Sequence, residues 1–163
     1  MKNTFRKVII MIYVLCLGML AGCGKTPDDS NTKKEVDINA VAEGLIKDVS
    51  FKDNLSTIDN EIALSRVYFL EQDKVASGVF YMNTNATAEE IAIVKVNDSA
   101  YVENVKAAFQ NRVSEQKAAC KDYLPDEMPK LDSAVIYSSG DYVILCISDD
   151  NNAAEKKIEE YFK

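Results

Sequence analysis

The sequence contains no histidine, and this absence narrows the chemistry open to the chain. Histidine is the commonest general base and the commonest metal ligand in proteins. A Ser-His-Asp or Cys-His nucleophile cannot form without it. The sequence therefore predicts no catalytic residue, no metal site and no cofactor. Enzymes without histidine exist, so an enzymatic activity stays open but is not favoured.

The sequence also lacks a cluster of basic residues beyond the first few positions. Its 163 residues include 19 basic and 26 acidic side chains, which give a formal net charge of −7. Because binding to phosphates needs a patch of Lys and Arg, nucleic acid is not an expected partner. The hydrophobic fraction of 47% is typical of a globular protein and not of a disordered chain. We therefore expect one domain plus an appendage.

The appendage begins with residues 1–22, which are typical of a bacterial signal peptide. Lys2, Arg6 and Lys7 precede an uncharged, mostly aliphatic run over residues 8–20. A run of about 13 residues is short for a transmembrane helix, which needs about 20, but it suits the hydrophobic region of a signal peptide. The segment is predicted to direct export.

The tetrapeptide Leu20-Ala21-Gly22-Cys23 follows this run and resembles the lipobox of bacterial lipoproteins. The resemblance implies cleavage before Cys23 and attachment of a diacylglyceryl group, with fatty acyl chains such as palmitate, to its sulfur. Two acyl chains exceed what stable membrane anchoring requires. The predicted location is the outer face of the cytoplasmic membrane, with the membrane bound through Cys23. A plain secretory signal with an incidental cysteine, or a short uncleaved anchor, is the alternative.

Residues 23–37 are predicted to be the lipidated cysteine and a flexible tether. The polar segment GKTPDDSNTKKEVD, residues 24–37, could reach roughly 40–50 Å when extended. Removal of residues 1–22 would take away three positive charges and no negative charge, so the formal charge would change from −7 to −10. An anionic membrane surface would repel such a domain.

Residues 38–163 are predicted to form one α+β domain. Asp37 can cap an amphipathic helix, and a longer helix begins at Asp98 or Ser99 and ends near Tyr123. Segments 77–82 and 91–96 are predicted strands, and a later hairpin turns at Ser139-Gly140-Asp141. A last helix is predicted from a capping-box-like start at Asn152. We expect a small mixed or mainly antiparallel sheet, with the long helix packed on one face.

Glu89 and Glu90 are the strongest candidates for a carboxylate site, and they are a weak candidate ligand site. Thr87-x-x-Glu90 matches a capping box, in which Glu90 would bond backbone amides of a helical turn. Adjacent residues of a strand point to opposite faces, which argues against a paired acid and base. The sequence therefore favours a structural role for both residues.

Three further sets of side chains each have a structural and a functional interpretation. Oxygen ligands at positions 149–152 could bind a hard cation, but helix capping explains them better. Cys120 and Cys146 could form a disulfide outside the cytoplasm, although buried free thiols are favoured. Tyrosines such as Tyr68 and Tyr123 could line a sugar- or peptide-binding surface, with core packing as the default.

Three segments together resemble a family of small lipoproteins of clostridia-like Gram-positive bacteria, the domain-of-unknown-function family DUF4358. They are ATAEEIAIVK at 86–95, NRVSEQKAACKDYLPDEMPKL at 111–131 and GDYVILCISDD at 140–150. The resemblance covers roughly residues 40–150 and implies a lipid-anchored protein of the cell envelope, without supplying an activity. Asn85 stands where the family leads us to expect glycine, but Asn also tolerates a positive φ.

The sequence favours a non-enzymatic lipoprotein whose acidic domain binds an envelope protein or a small ligand. One alternative is a hydrolase of the cell envelope that uses Glu or Asp, which requires two carboxylates to converge in one cleft. Another is an accessory or substrate-binding subunit of a transport system. The sequence does not choose the ligand or the oligomeric state.

Overall fold

The computed structural model describes residues 35–163, which belong to one compact unit of the chain. Five strands form one open sheet in the order β1-β2-β3-β5-β4. Their bounds are β1 Ser56–Thr57, β2 Val75–Met82, β3 Glu90–Val96, β4 Val135–Ser139 and β5 Tyr142–Ile147. Every neighbouring pair is antiparallel.

Three main helices cover the two faces of this sheet: α1 Ile38–Asp48, α3 Val102–Tyr123 and α5 Asn151–Phe162. One face packs against α3, where Val105 and Phe109 join Phe80, Ala92 and Leu145 in one core. The other face packs against α1 and α5, which form a second core with the opposite side of the same strands. The predicted α+β domain, with its long helix on one face, is confirmed.

Two central strands carry most of the core because they are covered on both faces. Every residue of β5 is buried, and so is every residue of β3 except Lys95. Such continuous apolar runs are expected where helices cover both sides of a strand. β3 and β4 run in the same direction, since each is antiparallel to β5 between them. Helix α3 makes the connection between β3 and β4.

Short helical elements fill the connections. Helix α2, Asn60–Ile62, continues as a π-helix over Ala63–Val67. Helix α4, Met128–Asp132, follows a 3-10 turn at Pro125–Glu127. Two more 3-10 turns lie at Gln72–Lys74 and Ser99–Tyr101.

The predicted caps and turns are mostly confirmed. Asp37 accepts hydrogen bonds from the backbone N of Asn39 and Ala40 at the start of α1. Gly140 has φ 57° in the two-residue hairpin turn, which suits the first central position of a type II′ turn. Asn85 has φ 67°, so an asparagine does adopt the left-handed conformation expected of glycine there.

Several details of the helices differ from the prediction. The cap of α5 is Asp150, which accepts from the backbone N of Ala153, so the helix starts before Asn152. Asp98 caps a 3-10 turn, and α3 itself begins at Val102. Tyr123, for which core packing was the default expectation, is 87% exposed at the end of α3.

Candidate functional site

Glu89 and Glu90 are both completely buried, at 0% exposure, where the chain enters β3. Their side chains share no bonding partner, as expected for neighbours that leave an extended chain in opposite directions. The capping-box interpretation of Glu90 is wrong. Thr87 Oγ1 does accept from the backbone N of Glu89, at 3.3 Å, but Glu90 is the first residue of β3 and bonds side chains from distant elements.

The Glu90 cluster consists of Glu90, Arg112, Tyr68 and Gln116. Arg112 donates from Nη2 to the carboxylate at 2.7 Å and from Nε at 3.1 Å. Tyr68 donates its hydroxyl at 2.7 Å, and Gln116 donates its amide at 2.6 Å. Burial, with the neighbouring carboxylate, raises the pKa of Tyr68 well above its ordinary value, so its hydroxyl stays a donor. The Glu90 carboxylate thus serves as the acceptor for three side chains.

The Glu89 cluster consists of Glu89, Lys130, Glu127 and Asp149. The backbone N of Lys52 and of Asp53 donate to Glu89 at 2.9 and 2.8 Å, and Lys130 Nζ lies 2.7 Å from its Oε1. The same ammonium lies 3.0 Å from Glu127 and 3.2 Å from Asp149.

One lysine therefore holds three carboxylates together. Burial alone would lower the pKa of Lys130, but its hydrogen bonds to Glu89, Glu127 and Asp149 outweigh burial and raise it. Lys130 is only 6% exposed. Because the Lys130 charge is needed to offset the buried negative charges of Glu89 and Glu127, the Glu89 cluster has a structural explanation.

The two clusters do not form the paired acid and base that a carboxylate hydrolase needs. Each carboxylate is saturated by donors, and the two do not converge on a common cavity. Within residues 35–163, no group of three or more His, Cys, Asp or Glu side chains is arranged to hold a metal ion. Asp150 and Asn151 have structural partners instead: Asp150 caps α5, and Asn151 accepts from the backbone N of Ser148.

A cleft of about 340 Å³ opens beside the Glu90 cluster. Residues 67–71, which begin at the last residue of the π-helix, form one wall, and one face of α3 forms the other. On the side of α3 the lining residues recur at helical spacing. They are Tyr101, which directly precedes the helix, and Asn104, Ala107, Ala108, Asn111, Arg112 and Glu115. We call this space the α3 cleft.

Arg112 connects the buried cluster to the α3 cleft. Its side chain is 22% exposed and lines the cleft, whereas Glu90 lies fully buried behind it. Within the described residues, the side-chain hydrogen bonds of Arg112 all go to Glu90, through Nε and Nη2. Nη1 therefore remains as a donor, on a guanidinium whose orientation is fixed by a buried carboxylate.

Phe69 is the most unusual residue of the cleft. It has φ 53° and is 74% exposed, between Tyr68 and Leu70, whose side chains are buried. A bulky residue with positive φ is a genuine outlier, and left-handed backbone costs roughly 1–2 kcal/mol for a residue with a β-carbon. Both π-helices and backbone outliers occur often at functional sites. The strained backbone at Phe69 presents an exposed phenyl ring at the mouth of the cleft.

The walls of the cleft are tied together locally. The backbone N of Glu71 donates to the Tyr101 hydroxyl at 3.0 Å, which joins the two walls. The backbone N of Leu70 reaches the carbonyl of Leu64 at 2.8 Å and ends the π-helix. The cleft is therefore present without a ligand-induced rearrangement of these contacts.

The remaining candidates have plain packing roles. Cys120 and Cys146 are free and buried, and they belong to the cores on opposite faces of the sheet. Burial raises the pKa of Cys146 to about 12, so its thiol stays protonated. Tyr68 packs on Phe80 and Phe109, with ring centroids 5.3 and 5.2 Å apart.

Sequence reasoning missed the α3 cleft, although part of its signal was visible. Polar and small residues at 104, 107, 108, 111, 112 and 115 follow one face of a secure helix. The opposite wall depends on a π-helix and a positive φ at a phenylalanine, which residue preferences do not predict. The residues Leu20, Ala21, Gly22 and Cys23 lie outside the described part of the chain.

Another cavity, of about 310 Å³, lies at the β4–β5 turn and includes Glu35, Lys95 and Tyr142. Lys95 forms an ion pair with Glu35 at 2.7 Å there. Glu35 is the first described residue, so the cavity borders a segment without described structure. Among the described helices, none is long and apolar enough to span a membrane.

Comparison with known proteins gives one match. A family model described as Domain of unknown function (DUF4358) matches residues 47–148. This range contains the α3 cleft together with Glu89 and Glu90. No curated protein and no solved structure matches the chain.

Proposed function

The chain belongs to the DUF4358 family, whose description carries no activity, and from its sequence and geometry we propose a lipid-anchored binding protein of the cell envelope. Its domain binds an envelope component in the α3 cleft, and Cys23 holds the domain on the outer face of the cytoplasmic membrane. The observation that supports binding is Arg112, which is fixed by buried Glu90 and presented beside an exposed, strained Phe69.

The polar groups of the α3 cleft suit recognition better than catalysis. A binding site places a few oriented polar groups beside apolar or aromatic surface. Arg112, Tyr101 and Phe69 meet this description. Hydrogen bonds within the domain fix Arg112 and Tyr101, and Phe69 is exposed beside them. The Glu90 carboxylate is fully buried behind Arg112, so it is not placed to exchange a proton with a ligand in the cleft.

The anchor rests on the order of the N-terminal residues. A lipoprotein signal requires basic residues, then a short apolar run, then a lipobox. The chain has these in that order, with Leu20-Ala21-Gly22-Cys23 as the lipobox-like tetrapeptide. Intact-mass spectrometry of the native protein tests this directly. We expect a species that begins at Cys23 and carries a diacylglyceryl group. A species that retains Met1, or that begins at Cys23 with an unmodified thiol, would contradict the anchor.

Binding is tested by retention of solubilised envelope material on the immobilised protein. We expect the wild-type chain to retain a component that Phe69→Gly fails to retain. Tyr123→Ala is the matched control, because Tyr123 is also an exposed aromatic residue but lies outside the cleft. Equal retention by wild type and Phe69→Gly would place binding elsewhere and overturn the proposal for the cleft.

A further inference from the structure

The aromatic residues of the α3 cleft offer a flat apolar surface. The ring of Phe69 is 74% exposed at the mouth, and the ring of half-buried Tyr101 lies on the opposite wall. An aromatic face contacts flat, weakly polar surface well, such as the C–H face of a sugar ring. Ala107 and Ala108, between the polar residues of α3, leave room for a ligand against the helix.

The polar residues around this surface combine donors with acceptors. Asn104 and Asn111 are exposed amides two turns apart on α3, and each can donate and accept. Arg112 adds fixed donors, and Glu115 adds a carboxylate acceptor one turn further on. Hydroxyl groups both donate and accept hydrogen bonds, so a ligand rich in hydroxyls satisfies this mixture. A purely anionic or purely cationic ligand uses only half of it.

The charges of the cleft disfavour an anionic ligand. The positive charge of Arg112 is offset by Glu90 at 2.7 Å, and Glu71 and Glu115 add negative charge at the rim. The whole chain is acidic, so anions meet an unfavourable field. A cation could bond Glu71 and Glu115 but not the donor groups of Arg112. An uncharged ligand rich in hydroxyls bonds both kinds of group and avoids the unfavourable field.

We propose that the α3 cleft binds an uncharged carbohydrate, specifically one or two sugar rings of a neutral glycan. This inference rests on the proposed function and names the ligand class of the same site. The volume of about 340 Å³ is at the small end of the range for ligand pockets, roughly 300–1,000 Å³, which suits a short saccharide segment. Phe69 stacks on a sugar face, and Asn104, Asn111 and Arg112 bond its hydroxyls.

The test is calorimetric titration of the purified full-length protein in detergent. The probes are neutral trisaccharides of glucose, mannose, galactose and N-acetylglucosamine, with a sulfated trisaccharide and spermidine as the charged probes. We expect at least one neutral trisaccharide to bind, and Asn111→Ala to weaken it at least about tenfold. Gln110→Ala is the matched control, an exposed neighbour outside the cleft, with an expected change below about twofold.

Three results would overturn the inference: no neutral trisaccharide binds, only a charged probe binds, or Asn111→Ala binds as tightly as wild type. Retention of envelope material separates this failure from that of the proposed function. If wild type retains an envelope component through Phe69 while no neutral sugar binds, the ligand class is wrong and the binding site stands. If neither occurs, both are wrong.

Discussion

Glu89 and Glu90 are consecutive, chemically identical and equally buried, yet their basic partners differ in their access to solvent. Lys130, the partner of Glu89, is 6% exposed and is surrounded by carboxylates. Arg112, the partner of Glu90, is 22% exposed and lines a cleft. The comparison shows that burial of a charge does not by itself mark a site. What distinguishes Glu90 is that its partner reaches an open cavity.

The two clusters also join different elements of the fold, so we assign them different roles. The Glu89 cluster joins the loop after α1, the start of β3 and helix α4, because the Glu89 carboxylate accepts from the backbone N of Lys52 and from Lys130 Nζ. The Glu90 cluster joins the start of β3, Tyr68 and helix α3, and it fixes the guanidinium at the cleft wall. We therefore expect changes to the first cluster to act on stability, and changes to the second to act on stability and binding.

The largest expected effect is that of Lys130→Met. It leaves Glu89, Glu127 and Asp149 without their shared counter-charge, and loss of one partner from a buried ion pair costs about 3–5 kcal/mol. Urea unfolding at neutral pH measures the loss. Lys117→Met is the control, because Lys117 pairs with exposed Asp132 and such pairs contribute at most about 1 kcal/mol. Equal losses in the two variants would show that the Glu89 cluster is not a structural centre.

Glu90→Gln should lower the free energy of unfolding by a smaller amount, about 1.5–3 kcal/mol. The charge-assisted bonds to Arg112 are lost, but the guanidinium can still reach water at the cleft. Chemical denaturation again gives the value. Glu103→Gln serves as the control, since Glu103 pairs with Lys106 on the exposed surface of α3. A loss larger than that of Lys130→Met would contradict the expectation that the Glu89 cluster contributes more to stability than the Glu90 cluster.

Phe69→Gly should not destabilise the protein, although it removes a large side chain. Glycine adopts φ 53° without the steric cost of a β-carbon, so it should exceed Phe69→Ala in stability by about 1 kcal/mol. Thermal or urea unfolding of both variants checks this difference. If Phe69→Gly proves much less stable than wild type, the ring contributes to the core, and the strain argument for a binding role fails.

The smallest expected effect is the acid dependence of Asp149, which belongs to the Glu89 cluster. Burial alone would raise the pKa of Asp149, but hydrogen bonds from Lys130 and Lys52 lower it below its ordinary value of 3.8. A lowered pKa gives stability that is present above 3.8 and is lost as the pH falls through the folded-state value. At neutral pH the free energy of unfolding of the wild type should therefore exceed that of Asp149→Asn by at most about 1 kcal/mol. A difference that grows below pH 3.8 would contradict this sign.

The sequence predicted the parts of the fold that depend on periodic burial. Helix α1 follows its pattern, since Ile38, Val41 and Leu45 are buried as their spacing requires. Ile46, the residue after Leu45, is 40% exposed. Strand β1 was missed because two exposed residues carry no periodic signal.

The candidate site was predicted only in part. The sequence singled out Glu89 and Glu90, and strand alternation correctly separated them. The partners of the two glutamates could not be predicted from the sequence, because Arg112 lies 22 positions from Glu90 and Lys130 lies 41 positions from Glu89. Only the folded arrangement of α3 and α4 around β3 brings these charges together. The α3 cleft depends on the same long-range packing.

The most direct test of the account compares how Glu90→Gln and Glu89→Gln bind a neutral trisaccharide that the wild type binds. Both variants should remain folded, since Lys130 keeps Glu127 and Asp149 when Glu89 loses its charge, and circular dichroism verifies this. Because Glu90 orients Arg112 in the cleft and Glu89 has no contact with it, Glu90→Gln should lose about tenfold or more in affinity. Glu89→Gln should stay within about twofold of wild type. Equal affinities in the two folded variants would contradict the account.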